Sequence, residues 1–273
     1  MTLRLAILQT NTGIDPRLEA VHLPGQIAKA AAQGAKIVFT PEMSGLLDRD
    51  RARAAPQVRC EDDDVVLAAV RKAAAQNSVW VQLGSLALQG EDGKFVNRGF
   101  LIRPDGSIAA RYAKIHLFDV ALGSESWRES AAYDAGGEAV VAQTPWGDLG
   151  LTICYDVRFA ALHRALAEAG AAMIAVPAAF TCPTGEAHWH VLVRARAIET
   201  GCWVIAAAQT GVHQDGRTTY GHSLVVSPWG EVKLDMGEAA GIGLCDIDLA
   251  EVAAARDKIP ALKHARPFRL VRA

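Results

Sequence analysis

Two stretches in different halves of this chain repeat one pattern. Gly34-Ala35-Lys36-Ile37-Val38-Phe39-Thr40-Pro41 and Gly170-Ala171-Ala172-Met173-Ile174-Ala175-Val176-Pro177 each follow a helical period and run Gly-Ala, short apolar strand, proline, with the same Gly-to-Pro interval. Two copies of one α-β unit predict a pseudo-symmetric α/β layered fold: one domain over 1–273, helices outside a sheet pair, equivalent strand ends sharing a rim. The alternative is that two common helix-strand junctions coincide.

The rest of the chain is read around these units. Apolar periodicity predicts strands over 3–9, 36–39, 79–88 and 95–102, with 108–112 closing a hairpin through Pro104-Asp105-Gly106. A helix over 17–33 contains Pro24-Gly25, which should kink or restart it. Residues 48–59 and 120–133 read as loops, and Asp62-Asp63-Asp64 as the acidic first turn of a helix reaching about 76 rather than as a metal site, since calcium-loop spacing is missing. Strands over 139–143, 173–176, 203–208, 223–226, 232–234 and 242–247 alternate with helices over 157–169, 186–200 and 249–257, before a polar tail.

Charge is close to balanced, with a formal net of −2, so nothing draws the chain to nucleic acid or to an anionic membrane. The expected partners are a small molecule and further copies of the chain. No apolar run is long enough to span a bilayer and none resembles a signal segment, which suggests a cytoplasmic protein. The five cysteines are scattered with no Cys-x-x-Cys pair, so neither a disulfide framework nor a zinc site is expected.

One cysteine stands apart. In Gly150-Leu151-Thr152-Ile153-Cys154-Tyr155-Asp156-Val157-Arg158-Phe159 an apolar strand stops at Cys154, and Asp156 is placed to cap a helix with apolar positions at Val157, Leu162, Ala165, Leu166 and Ala169. The sulfur would then face the positive end of a helix, a field expected to lower a thiol pKa from about 8.5 toward neutrality. A buried cysteine that only packs is the ordinary alternative. Its company argues otherwise: Glu42 and Lys114 also fall at predicted strand ends or loops.

With those residues assembled, the chain resembles the nitrilase superfamily of carbon-nitrogen hydrolases. The likeness is carried by Pro41-Glu42-Met43, by Tyr112-Ala113-Lys114-Ile115-His116-Leu117-Phe118-Asp119 and by Ile153-Cys154-Tyr155-Asp156-Val157-Arg158-Phe159. It continues in Phe180-Thr181-Cys182-Pro183-Thr184-Gly185-Glu186-Ala187-His188-Trp189, Arg194-Ala195-Arg196-Ala197-Ile198-Glu199 and Tyr220-Gly221-His222-Ser223. The resemblance implies a four-layer α-β-β-α sandwich that extends across a dimer, and an amidase using neither metal nor organic cofactor. Amide cleavage needs a thiolate, a stabilised oxyanion and a proton for the departing nitrogen. Glu42 would move the protons, Cys154 attack, and Lys114 with the Tyr155 N–H hold the oxyanion. Glu129, at the family's second acidic position, would orient Lys114 and the substrate amide.

Within the superfamily the sequence is most similar to the branch containing deaminated glutathione amidase and omega-amidase, and Ala206-Ala207-Ala208-Gln209-Thr210-Gly211-Val212-His213 favours the former. The expected reaction is hydrolysis of a terminal carboxamide of a small 2-oxo acid through a thioester, releasing ammonia. Arg158 is a candidate to grip the substrate carboxylate and Thr184 a hydroxyl donor, unless Arg158 instead braces Asp156 or Glu199. Two departures bear on the pocket: His190 stands where the family commonly has glutamate, as does Ala161. Rival readings are a papain-like Cys-His hydrolase, nitrile hydrolysis or decarbamoylation on the same triad, and a scaffold without chemistry. His188 and His190, two residues apart on a helix, should face apart and not share a metal.

Overall fold

The computed structural model describes residues 2–90, 93–122 and 125–272. Strands β1 (Thr2–Gln9), β2 (Ile37–Phe39), β3 (Trp80–Gln89), β4 (Phe95–Ile102) and β5 (Ile108–Ala113) open the chain. A hairpin of β6 (Asp119–Leu122) and β7 (Glu125–Arg128) and the two-residue β8 (Tyr133–Asp134) follow. The second half supplies β9 (Val140–Ala142), β10 (Leu149–Leu151), β11 (Met173–Ala175) and β12 (Trp203–Ala206), then the hairpin β13 (Thr210–Val212) and β14 (Thr218–Tyr220). It ends with β15 (Leu224–Val226), β16 (Val232–Asp235) and β17 (Gly241–Asp248).

Two large sheets result, ordered β17-β1-β2-β3-β4-β5, with β8 also paired to β4, and β9-β10-β11-β12-β15-β16, while the hairpins β6-β7 and β13-β14 form small sheets of their own. In each large sheet, three central parallel strands are flanked by antiparallel ones, and the repeated Gly-Ala-strand-Pro units provide the middle strand, β2 and β11. The pseudo-symmetry expected from the repeat is therefore present strand for strand. The period-2 alternation of strand side chains separates the layers. Leu3, Leu5 and Ile7 of β1, with Ile37 and Phe39 of β2, join Leu149, Leu151, Met173 and Trp203 in one core. Ala6, Leu8 and Val38 face the other way, onto Leu23 and Ile27 of helix Pro16–Ala32 and Val66 and Val70 of helix Val65–Asn77. Helices Ala160–Glu168 and His190–Thr200 cover the second sheet, giving the α-β-β-α order.

Several expectations change in contact with the structure. The first helix runs from Pro16 to Ala32 without restarting at Pro24-Gly25, because the apolar face around Leu23 and Ile27 is buried against the sheet. The acidic cluster is a capping device as expected, although the helix begins later: Asp64 accepts the Leu67 N–H at 2.8 Å. The 48–59 loop contains a short helix, Arg51–Ala54, capped by Asp50, and 120–133 contains the β6-β7 hairpin. The predicted helix over 186–200 begins with a π-helical segment, Gly185–Trp189, a rare geometry that often marks functional sites. The tail is not uniformly polar, since Phe268, Leu270 and Val271 are exposed on it. No helix among the described residues is long and apolar enough to cross a membrane.

Candidate active site

The carboxyl ends of the central parallel strands in the two sheets meet. β2 passes through Thr40 and Pro41 to Glu42, β10 passes through Thr152 and Ile153 to Cys154, and β11 passes through Val176 and Pro177 to Ala179. Direct hydrogen bonds tie these three exits together. The Cys154 N–H donates to the Pro177 carbonyl at 2.8 Å, and the Ala179 N–H donates to Glu42 Oε2 at 3.1 Å.

At this junction lies a buried ion cluster. Lys114 Nζ is 2.8 Å from Glu42 Oε1 and 2.9 and 3.1 Å from the two oxygens of Glu129. Asn97 Nδ2 donates to both Glu42 Oε1 at 3.0 Å and Glu129 Oε1 at 3.3 Å. The remaining Glu129 oxygen takes the Phe118 N–H at 2.7 Å. Only 2% of Lys114 and 5% of Glu42 is exposed, so water does little to screen these charges. Burial alone would lower the lysine pKa, but Glu129 and Glu42 outweigh it and hold it well above its ordinary value.

Cys154 borders the cluster, close enough to Glu42 and Lys114 for both charges to act on its thiol. Its φ is +47°, a left-handed conformation uncommon for a residue with a side chain, and Met43 beside Glu42 has φ +55°. The expected α-helix does not begin at Val157. A short 3-10 turn, Cys154–Arg158, precedes the helix Ala160–Glu168, so the sulfur has no long helix behind it. Burial and then the Glu42 charge push the thiol pKa well up, opposite to the sequence expectation.

Asp156 caps the short 3-10 turn Cys154–Arg158 rather than an α-helix, and it also ties together the segments that carry Lys114 and Cys154. Its Oδ2 accepts the Tyr112 hydroxyl at 2.7 Å and the Ile153 N–H at 2.8 Å, while Oδ1 accepts the His116 backbone N–H at 3.1 Å and lies 2.7 Å from His116 Nδ1. Residues 112–116, which carry Lys114, are thereby pinned to the turn that carries Cys154.

Above the cluster opens a cavity of about 210 Å³ whose lining includes Glu42, Lys114, Glu129, Cys154, Tyr155 and Thr184. Arg158 is brought to the outside of this wall, not into the lining. It pairs with neither Asp156 nor Glu199: its guanidinium lies 5.9 Å from the Tyr155 ring and 5.6 Å from the Phe180 ring, and 3.3 Å from His188 Nδ1. Besides Lys114, the cations that line the cavity are Arg49, Arg51, Arg128 and Arg217, which the sequence reading passed over because they sit in what read as loops or solvated charge. Asn97 was also missed, although a polar residue inside the apolar strand 95–102 signals a buried role, and it is fully buried. Among the described residues no histidine lines the cavity, which removes the Cys-His reading. His188 and His190 face apart as expected, toward Arg158 and Asp235.

Known proteins resemble this chain in sequence and in fold. Residues 4–257 match the family model described as carbon-nitrogen hydrolase. A deaminated glutathione amidase of Yersinia enterocolitica is 38% identical over 266 residues, 96% of this chain and 92% of that protein. The crystal structure of the C. elegans NitFhit protein superposes with a TM-score of 0.88 at 35% identity, covering 97% of this chain and 65% of that one. A mutant amidase from Nesterenkonia, 26% identical with a TM-score of 0.78 over 94% of this chain and 98% of that one, shows acrylamide added at its active site cysteine. With its matched family model, its two-sheet sandwich and a buried Glu-Lys-Glu cluster against a cysteine, this chain belongs to the carbon-nitrogen hydrolase family and is a hydrolase acting on amides.

Proposed function

We propose that the chain cleaves the amide of a small 2-oxo acid through a thioester on Cys154, and that its substrate is deaminated glutathione. The observation that carries this reading is the Glu42-Lys114-Glu129 cluster closed around a strained, buried cysteine at the floor of a cavity lined by arginines. Support for the substrate comes from the name of the Yersinia relative and from a mouth suited to anions.

In this mechanism the resting sulfur is a thiol, since burial and the Glu42 charge hold its pKa up. Glu42 takes the proton as Sγ attacks the amide carbon. Negative charge moving onto the carbonyl oxygen is met by the Lys114 ammonium and by the Tyr155 N–H, groups fixed in place before reaction. Glu42 then delivers its proton to the nitrogen as the C–N bond breaks, leaving a thioester. Water attacks the thioester with Glu42 again as base, releasing the acid and restoring the thiol. Glu129 acts by holding Lys114 and the Phe118 backbone.

For deaminated glutathione the scissile nitrogen belongs to cysteinylglycine, so that dipeptide departs. Ammonia, the product expected from sequence, is released only from a primary amide such as 2-oxoglutaramate. Both substrates yield 2-oxoglutarate, which makes it the product to measure. Arg49 and Arg217 are better placed than Arg158 to meet a substrate carboxylate, because they line the cavity; Thr184 lines it as well and keeps its proposed role as a hydroxyl donor. The family's homodimer and a cytoplasmic location complete the proposal, with exposed Val191 and Ile198 on one helix and exposed Trp229 consistent with self-association.

The test compares 2-oxoglutarate formation from deaminated glutathione and from 2-oxoglutaramate, with Cys154→Ala as control. A higher kcat/KM on the first is expected. A preference for the second would make the enzyme an omega-amidase, and no turnover of either would remove the 2-oxo acid assignment.

A further inference from the structure

Away from the cavity, three side chains from three separate elements converge. His190 is the first residue of helix His190–Thr200, His222 lies between β14 and β15, and Asp235 ends β16. Their ligand atoms all lie within 4.8 Å of one another. Asp235 Oδ2 is 3.0 Å from His190 Nε2 and 3.2 Å from His222 Nδ1, and Oδ1 is 2.9 Å from His222 Nδ1. None of the three lines the catalytic cavity.

We propose that His190, His222 and Asp235 form a binding site for one divalent transition-metal ion of the zinc class. Donors about 2.0–2.1 Å from a tetrahedral zinc ion stand roughly 3.3 Å apart, so the two Asp235 Oδ2 separations need to open by only a few tenths of an ångström. Two imidazoles and one carboxylate are a donor set favoured by zinc, nickel and copper over magnesium or calcium, and a solvent molecule can fill the fourth position. The imidazoles are half-buried and Asp235 is exposed, which leaves an entry path.

The surroundings hold the donors in place. His222 adopts φ +51°, and its ring, with Nδ1 against Asp235, stacks on Tyr220 at 4.4 Å between centroids. Asp235 Oδ1 also accepts the Gly237 N–H at 2.9 Å. His190 completes a mixed nitrogen-oxygen donor set with His222 and Asp235. The ligating imidazole nitrogens bind the ion through their lone pairs.

The experiment uses untagged protein stripped with a chelator and desalted. Calorimetric titration with Zn²⁺ at neutral pH should show one ion bound per chain, and Co²⁺ should produce visible absorption of a tetrahedral site. His190→Gln and Asp235→Asn should each weaken binding at least tenfold, while Cys182→Ser leaves it unchanged. Far-UV circular dichroism and amide hydrolysis without added metal verify that the variants fold. Absence of binding by the parent chain, or binding undiminished in His190→Gln and Asp235→Asn, overturns the proposal.

Discussion

At the Cys154 sulfur, burial and a neighbouring carboxylate make the free thiolate unfavourable, while Lys114 opposes them. In the proposed mechanism the thiol ionises only as it reacts, and Glu42 is the base that takes its proton. Glu42→Gln keeps the shape and removes the base, so kcat should fall by about 10²- to 10⁴-fold. Steady-state kinetics measures this, and a melting temperature within a few degrees of the parent would separate loss of chemistry from loss of fold. Lys114→Met behaves differently, because it leaves Glu42 and Glu129 buried without their cation. Removing one partner of such a cluster costs about 3–5 kcal/mol, so this variant should lose stability in urea unfolding as well as activity. A Lys114→Met protein with parental stability would show that the cluster is far better solvated than its burial suggests.

Among the elements, close approach of backbones sets where the charged groups sit. Gly84 in β3 packs directly on the segment leaving β2: a Cβ there would collide with the Thr40 and Pro41 carbonyl oxygens. Its N–H donates to Thr40 Oγ1 at 2.9 Å, next to an irregularity in the β3-β4 register. Gly136 plays the same part for Lys114, since its N–H donates to the Lys114 carbonyl at 2.8 Å and a Cβ would meet the Ala113 carbonyl oxygen. Gly84→Ala should therefore displace Glu42 and reduce kcat at least tenfold while KM changes little, as kinetics on the folded variant will show. Parental turnover in Gly84→Ala would mean that β2 can yield without moving the carboxylate.

For the whole molecule, acid stability has an identifiable contributor. His163, in helix Ala160–Glu168, is fully buried, donates from Nδ1 to the Phe159 carbonyl at 3.2 Å and has no partner for Nε2. Burial lowers its pKa from 6.5 to about 4. The neutral ring is thus favoured in the folded state, and the associated stability is fully present above pH 6.5 and lost as pH falls toward 4, where the unfolded chain takes up a proton first. A shift of that size corresponds to about 3 kcal/mol. Denaturant unfolding from pH 7 to pH 4 should show this loss, and His163→Leu should flatten it. An equally steep acid limb in His163→Leu would assign the loss to other groups. Sedimentation should also report a dimer, and a monomer at all accessible concentrations would end the assembly proposal.

The linear sequence by itself determined the layers and the cast. Strand alternation, helix period and the doubled Gly-Ala-strand-Pro unit are local patterns, and burial of their apolar faces leaves few architectures; Glu42, Lys114, Glu129 and Cys154 were legible because their flanks are distinctive. Tertiary structure alone decided the environment of each group. The thiol pKa turned upward because burial comes first and the charge of Glu42, more than a hundred positions away in the chain, adds to it. Asp156 became a tie to Tyr112 and His116, Arg49 and Arg217 rather than Arg158 came to line the cavity, and His190 met Asp235 and not His188. Electrostatics and hydrogen bonding fall off with distance through space, and distance along the chain does not report it.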